Sequence, residues 1–185
     1  MHYRVYNSKD VEFLDMTSSS GSRAYTRTLF FVLCKPVQAI YPATDVVIDI
    51  PVSNGFYVDI RLGRPVVDED VNIIRRRMQE IIDARMPIRR FTVPTEEAVA
   101  LFQEKGDVEK VKLLKTSGSI YTTYYKIGDY VDYYYGTLLT NTSQLYLFGL
   151  EKYYDGMLLR IPSLKDPDKL GEMTKPDKMF DIFRE

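Results

Sequence analysis

The stretch Pro51-Val52-Ser53-Asn54-Gly55-Phe56-Tyr57-Val58-Asp59 joins two β-branched and aromatic runs, 45–51 and 55–60. An Asn-Gly pair readily takes the left-handed backbone of a tight turn, and the flanking runs suit half-buried strands. The segment predicts an antiparallel hairpin. With the closely spaced runs late in the chain, it leaves no room for the helical crossovers of a doubly wound parallel sheet.

Upstream, Leu29, Phe30, Val32, Leu33, Val37 and Ile40 recur at helical spacing, which predicts an amphipathic helix over 24–41 that stops before Pro42. Pro36 lacks an N–H and crowds the carbonyl of Val32, so a bend or break is expected there. The Ser/Gly cluster 17–22 reads as a joint and helix start, and 3–6 and 11–16 as short extended pieces. Downstream, Asp68 is placed to cap a helix reaching about 85, with Glu69 and Asp70 in its first turn. Val71, Ile74, Met78, Ile81 and Ile82 form its apolar face. A strand over 88–93, a helix from Thr95 to about 105 and a shorter helix over 108–115 follow, the last two separated by Gly106. Residues 119–127, 129–135, 144–149 and 157–161 read as strands, with Gly128 and Gly136 at turns. Ten of the fifteen tyrosines lie between 121 and 154, so cross-strand packing accounts for them better than stacking on bases. These elements predict an α+β fold: one antiparallel sheet, built from the hairpin and the 119–161 strands, packed on one face against the 24–41 and 68–85 helices.

With 185 residues, 45% apolar and 28% charged, the chain can bury one good core. A net charge of -1 supplies no global field toward nucleic acid or an anionic membrane, so any polyanion contact must be local. The single cysteine, Cys34, excludes an internal disulfide framework and a thiolate cage. It suits a reducing compartment, with the cytoplasm as the expectation, and its place on an apolar helix face reads as a buried small hydrophobe. The start lacks a signal-peptide run, and no stretch approaches the roughly 20 apolar residues that span a bilayer. Phosphate-loop, dinucleotide-fold and nucleophile-elbow motifs are absent, as is any cluster with metal-ligand spacing. Arg75, Arg76 and Arg77, with Arg85, Arg89 and Arg90, form a local basic patch that either meets phosphates or is simply solvated. Beyond Pro162 the chain turns to Lys, Asp and Pro, ending in an apolar patch at Met179, Phe180, Ile182 and Phe183.

Taken together, 33–42, the 51–59 segment and Val131-Asp132-Tyr133-Tyr134-Tyr135-Gly136 resemble, in order and spacing, the second additional domain of threonyl-tRNA synthetases, their editing domain. The match runs over about 24–161. In that family a helix with His-x-x-x-His ends in Leu-Tyr-Pro, a hairpin with Asn-Gly-Phe-Tyr-Tyr-Asp follows, and Val-Asp-x-Cys-x-Gly-Pro-His comes later. The resemblance implies an editing-domain-like α+β fold. It also implies a site in which two histidines one helical turn apart meet a cysteine and a third histidine around a metal or a hydrolytic water. The matching positions here hold Arg27, Phe31, Tyr134 and Leu138. Such side chains neither coordinate zinc as imidazole and thiolate do nor pass protons near neutral pH. The sole histidine, His2, lies outside the motif, so neither a catalytic residue nor a metal is expected. Lys110 and Asp132 match retained family positions. With Arg27 and Tyr134 they are expected to converge as a remnant cleft carrying a positive excess, suited to a small polar or anionic ligand. Two bland readings stand beside this one: Lys110 and Asp132 as a plain ion pair, and Phe31, Tyr134 and Leu138 closing the cleft as core.

The family also includes bacterial proteins in which such a domain follows a β-grasp module and precedes a P-loop kinase resembling uridine kinase. The loss of the histidine pairs and the 149–162 stretch, Gly-Leu-Glu-Lys-Tyr-Tyr-Asp-Gly-Met-Leu-Leu-Arg-Ile-Pro, are similar to that branch. The resemblance implies an extension and joint over 1–23, the editing-like module over 24–162, and a linker with a truncated helix over 163–185 leading to a downstream domain. It further implies a non-catalytic, metal-free module that regulates, or binds substrate for, a larger uridine or nucleoside kinase-like transferase. Its partners would be that catalytic domain and a small anionic ligand or RNA, with no membrane. ATP and Mg would belong beyond Glu185, and this segment would hold no cofactor. Two other readings remain, an aminoacyl-tRNA deacylase relying on Asp132 and the Tyr134 hydroxyl, and a purely structural interaction domain.

Overall fold

A computed structural model describes residues 6–42, 44–52 and 54–172. The hairpin forms as expected: β1 (Val46–Val52) and β2 (Gly55–Ile60) pair antiparallel, with Val52 opposite Gly55 and Asn54 at φ +63°. Gly55 opens β2 without a left-handed backbone, and its glycine is required by a close approach instead. A Cβ there would stand 2.6 Å from the carbonyl oxygen of Leu159, because β2 also pairs with the last strand, β7 (Gly156–Arg160). β7 in turn pairs with β6 (Gly149–Tyr153), giving a four-stranded antiparallel sheet ordered β1-β2-β7-β6.

The later strands differ from the single expected sheet. β3 (Arg89–Pro94), β4 (Tyr121–Ile127) and β5 (Tyr130–Tyr133) form a separate three-stranded antiparallel sheet. Cross-strand chemistry explains the choice. Phe91 stacks on Tyr124 with ring centroids 5.2 Å apart, and the Thr92 and Thr123 hydroxyls lie 2.9 Å apart. β3 therefore fills the β4 edge that the hairpin would otherwise need. Residues 144–149 also differ, since no strand forms before Gly149. A 3-10 turn (Thr142–Gln144) stands there instead, and the Gln144 side chain accepts from the Thr140 and Asn141 amides, offering the backbone a local alternative to a ladder.

Helix α1 (Ser19–Ile40) starts at Ser18, whose hydroxyl accepts the Gly21 amide at 3.0 Å. Pro36 neither breaks nor ends it. The ring is buried beside the core residues Val32, Leu33 and Val37, and their burial offsets the one backbone bond that proline removes. Helix α2 (Asp68–Asp83) is capped one residue earlier than expected, at Val67. Asp70 accepts the Val67 amide at 3.0 Å, takes both terminal nitrogens of Arg64 at 2.7 and 3.0 Å, and accepts the Tyr41 hydroxyl. Helices α3 (Thr95–Glu104) and α4 (Val108–Thr116) follow. Thr95 opens α3 without capping it, because its hydroxyl donates to the Ser119 carbonyl at 2.6 Å. Residues 8–15 form no strand, residues 3–5 and the apolar patch at Met179–Phe183 lie outside the described set, and no described helix is long and apolar enough to cross a membrane.

The two sheets share one large core. Phe30 of α1 meets Phe56 of the first sheet at 5.0 Å between centroids, while Phe31 meets Tyr130 of the second at 5.0 Å. Ile74, Met78 and Ile82 of α2 complete this core. A smaller cluster of Ala98, Phe102, Leu114 and Val131 joins α3 and α4 to the outer face of the second sheet.

Asp70→Asn is expected to destabilise the chain by about 1–3 kcal/mol in urea unfolding, because the substitution leaves the half-exposed Arg64 and the Val67 amide with a weaker acceptor. The bonds from Arg64 hold the Asp70 carboxyl below its ordinary range despite burial. Its contribution is therefore complete above the unfolded carboxyl range, near pH 4, and is lost as pH falls further. Acid titration of the wild type against the variant reads this directly.

Candidate functional site

The two-residue turn at Gly128 sets Ile127 opposite Tyr130 and Tyr125 opposite Asp132, so these four side chains share one face of the second sheet. Helix α1 lies against that face and brings Phe31 and Cys34 to it. From the far side of the β5 edge, α4 contributes Lys110. Asp107 caps α4 by accepting the Lys110 amide at 3.1 Å, and the Lys110 ammonium then reaches Asp107 at 2.9 Å and Asp132 at 2.7 Å. The same ammonium lies 5.7 Å from the centroid of the Phe102 ring. Asp132 is buried, accepting the Tyr130 hydroxyl at 2.8 Å on one oxygen and the Tyr133 amide at 2.7 Å on the other.

The charge balance differs from the expected positive excess, since one cation faces two carboxylates. Burial pulls the Lys110 pKa down, but the charge of Asp132 and the bonds to both carboxylates outweigh it, so the net shift is upward. Lys110 is thus held charged. Burial pushes the Cys34 thiol up to about 12, with the Asp132 charge adding to the effect. Burial and the same neighbours also raise Tyr134 and Tyr130 well above the ordinary phenol range. A thiol and phenols that keep their protons are poor nucleophiles and poor bases at neutral pH.

Of the four cleft residues, Lys110 and Asp132 are in direct contact, and Tyr134 adjoins them through Cys34. The Tyr134 ring stands edge-on to Phe31 at 5.6 Å. Arg27 stands apart. Its guanidinium lies against Gly136, where an added Cβ would come 2.4 Å from Nη1, and no described ion pair joins it to Asp132. Phe31 and Leu138 are buried in the main core beside Tyr134. The donor set at these positions does not fit zinc, and no group of three or more His, Cys, Asp or Glu side chains suited to a metal occurs among the described residues.

The basic patch does not converge on one point. Arg75 and Arg76 are exposed on α2, Arg77 pairs with Glu80, and Arg85 follows the helix end at φ +50°. Arg89 and Arg90 sit on β3 and border a cavity of about 710 Å³. The sequence reading missed Asp107 and Tyr130, while Cys34 packs against the core as its place on an apolar helix face implied. Asp107 carried a signal, a cap residue directly after Gly106, whereas the Tyr130 contact depends on strand register.

No protein-family model matches the chain. It is similar to segments of threonine-tRNA ligases. It is 30% identical to that of Acetivibrio thermocellus over 151 residues, 81% of this chain and 24% of the relative. Identity is 37% over 101 residues with that of Nitratidesulfovibrio vulgaris strain DP4, covering 55% and 16%. With that of Syntrophotalea carbinolica it is 31% over 186 residues, covering 95% and 29%. The chain spans less than a third of the length of these curated relatives.

Cys34 is expected to resist iodoacetamide in the folded protein at pH 8 and to react once urea unfolds it. Because the folded thiol keeps its proton where the unfolded one, with a pKa near 8.5, has lost it, stability should fall as pH rises past about 9. Mass spectrometry of the labelled protein and urea midpoints at pH 7.5 and 10 check the two parts.

Proposed function

We propose, from this similarity, that the chain is a non-catalytic, metal-free module like the editing domain of a threonyl-tRNA synthetase, serving a larger protein as a regulatory or substrate-binding domain. The observation that carries the reading is Lys110 clamped between Asp107 and Asp132, with Asp132 also bonded to Tyr130 and the flank filled by Phe31 and Leu138. Every strong polar group there already has a protein partner. Hydrolysis of an ester needs a free base near neutral pH and donors aimed at the developing oxyanion, and this cluster supplies neither.

The larger protein on this reading is a uridine or nucleoside kinase-like transferase, and the support is the sequence of 149–162 with the changed positions Arg27, Phe31, Tyr134 and Leu138. Its catalytic domain would be the partner, and ATP and Mg would bind there. The specific observation favouring the second reading, an aminoacyl-tRNA deacylase, is that the named relatives are tRNA ligases. Asp132 would then have to act as base, which requires it to leave Lys110.

Incubation with seryl-tRNA specific for threonine separates the two. Release of serine at the buffer rate is the expected outcome, together with less than 0.1 equivalent of zinc by metal analysis (about one equivalent marks a built four-ligand site). Turnover that disappears in Asp132→Ala would establish the deacylase instead.

A further inference from the structure

The cavity beside β3 has a definite origin. Residues 86–88 and 140–142 begin an antiparallel ladder, since Thr142 N–H donates to the Met86 carbonyl at 3.0 Å, Ile88 N–H donates to Thr140 at 2.8 Å, and Pro87 pairs with Asn141. Beyond Ile88 the ladder stops. The Leu139 amide turns away to the Thr28 hydroxyl of α1 at 2.8 Å, and the Gly136 carbonyl accepts the Tyr125 hydroxyl at 2.8 Å. β3 continues straight while 137–139 peels off, and the cavity of about 710 Å³ opens in the fork.

Strand parity fixes which backbone groups face it. Ile88 N–H points to the fork side and Thr95 N–H to the β4 side, where it donates to Ile120 at 2.9 Å. Even-numbered residues of β3 therefore direct N–H and C=O into the fork. That leaves Arg90 and Thr92 as a donor and acceptor pair about 7 Å apart along the edge. The next even position, Pro94, has no N–H and closes the row. Arg89 and Arg90 line the cavity, no carboxylate does, and neither guanidinium has an ion-pair partner among the described residues. Thr92, Thr137 and Thr140 add hydroxyls, and Leu138 and Leu139 add apolar wall.

We infer that this fork is a binding site for a phosphate monoester with a hydroxylated body of nucleotide size, such as a nucleoside monophosphate or a sugar phosphate. The Arg90 guanidinium, on the same face of β3 as Tyr125, and the edge amides suit the phosphate, the edge carbonyls and threonine hydroxyls suit sugar hydroxyls, and the volume lies in the range of small-molecule sites. An edge strand can also carry arginine only to discourage pairing with other chains. That alternative predicts no selectivity between charged and uncharged ligands. The site goes beyond the module reading and does not use the Lys110 and Asp132 cluster, so serine release in the deacylation assay would leave it standing.

The test is titration of the 185-residue chain with adenosine monophosphate, glucose 6-phosphate and uncharged adenosine, followed by calorimetry and amide NMR. At least one phosphate ester should saturate, shift the Arg90 and Thr92 amides, and bind at least tenfold more weakly in Arg90→Gln. Adenosine should bind at least tenfold more weakly than its monophosphate. Arg90 is exposed, so the variant should keep the wild-type circular dichroism; Thr92→Val supplies a second, uncharged probe, expected to weaken binding severalfold. Absence of saturation by both esters, equal binding of adenosine, or unchanged affinity in Arg90→Gln would overturn the site. So would shifts confined to the Lys110 and Asp132 cluster.

Discussion

Two consecutive side chains of α1, Phe30 and Phe31, point into different sheets, and the arrangement of the whole chain depends on that divergence. Phe30 meets the hairpin sheet through Phe56, and Phe31 meets the second sheet through Tyr130 and Tyr134. A helix advances about 100° per residue, so neighbours on its apolar face can serve two surfaces at once. Phe31, fully buried, contributes about 1.5–3 kcal/mol from apolar burial, and the partly buried Phe30 contributes less. α1 is thus a central element, and this explains why the run around Pro36 stays helical: its apolar stripe is enclosed along much of its length.

The same divergence shapes the polar cluster. Phe31 presses on the face that carries Tyr130, Asp132 and Tyr134, keeping water from it, so charges there must be met by protein groups. Lys110 answers Asp132 from α4, itself positioned by the Asp107 cap, and the two carboxylates outweigh the burial penalty on the ammonium. A pair of this kind fixes where α4 sits against the edge of β5. Around it, the Cys34 thiol and the Tyr130 and Tyr134 phenols resemble reactive groups in type but keep their protons.

Local signals in the sequence reached far. Asn54-Gly55, the apolar spacing of α1 and α2, and the Gly106 break each depend on nearest neighbours along the chain, and each appears in the structure. What was not legible depends on pairing across distance. Nothing local reveals that β4 prefers 89–94 to the hairpin, because the deciding contacts join Phe91 to Tyr124 and Thr92 to Thr123. At the site, the Lys110 and Asp132 contact was expected from the resemblance to synthetase segments. The seat of Arg27 on Gly136 and the fork beside Arg90 were not, since both arise where residues 136–139 leave one partner for another.

The close fit of Arg27 on Gly136 links two positions that look independent in the sequence. Gly136 has φ +115° and no room for a Cβ while the guanidinium is present, and a smaller residue at 27 would leave unfilled space beside it. Phe31 and Leu138 are bound in the same way to the core around them. Placing histidines at 27 and 31 would therefore disturb the packing at both positions. Each single exchange leaves a less well-filled protein, so packing couples these positions and tolerated substitutions there must come as coordinated changes.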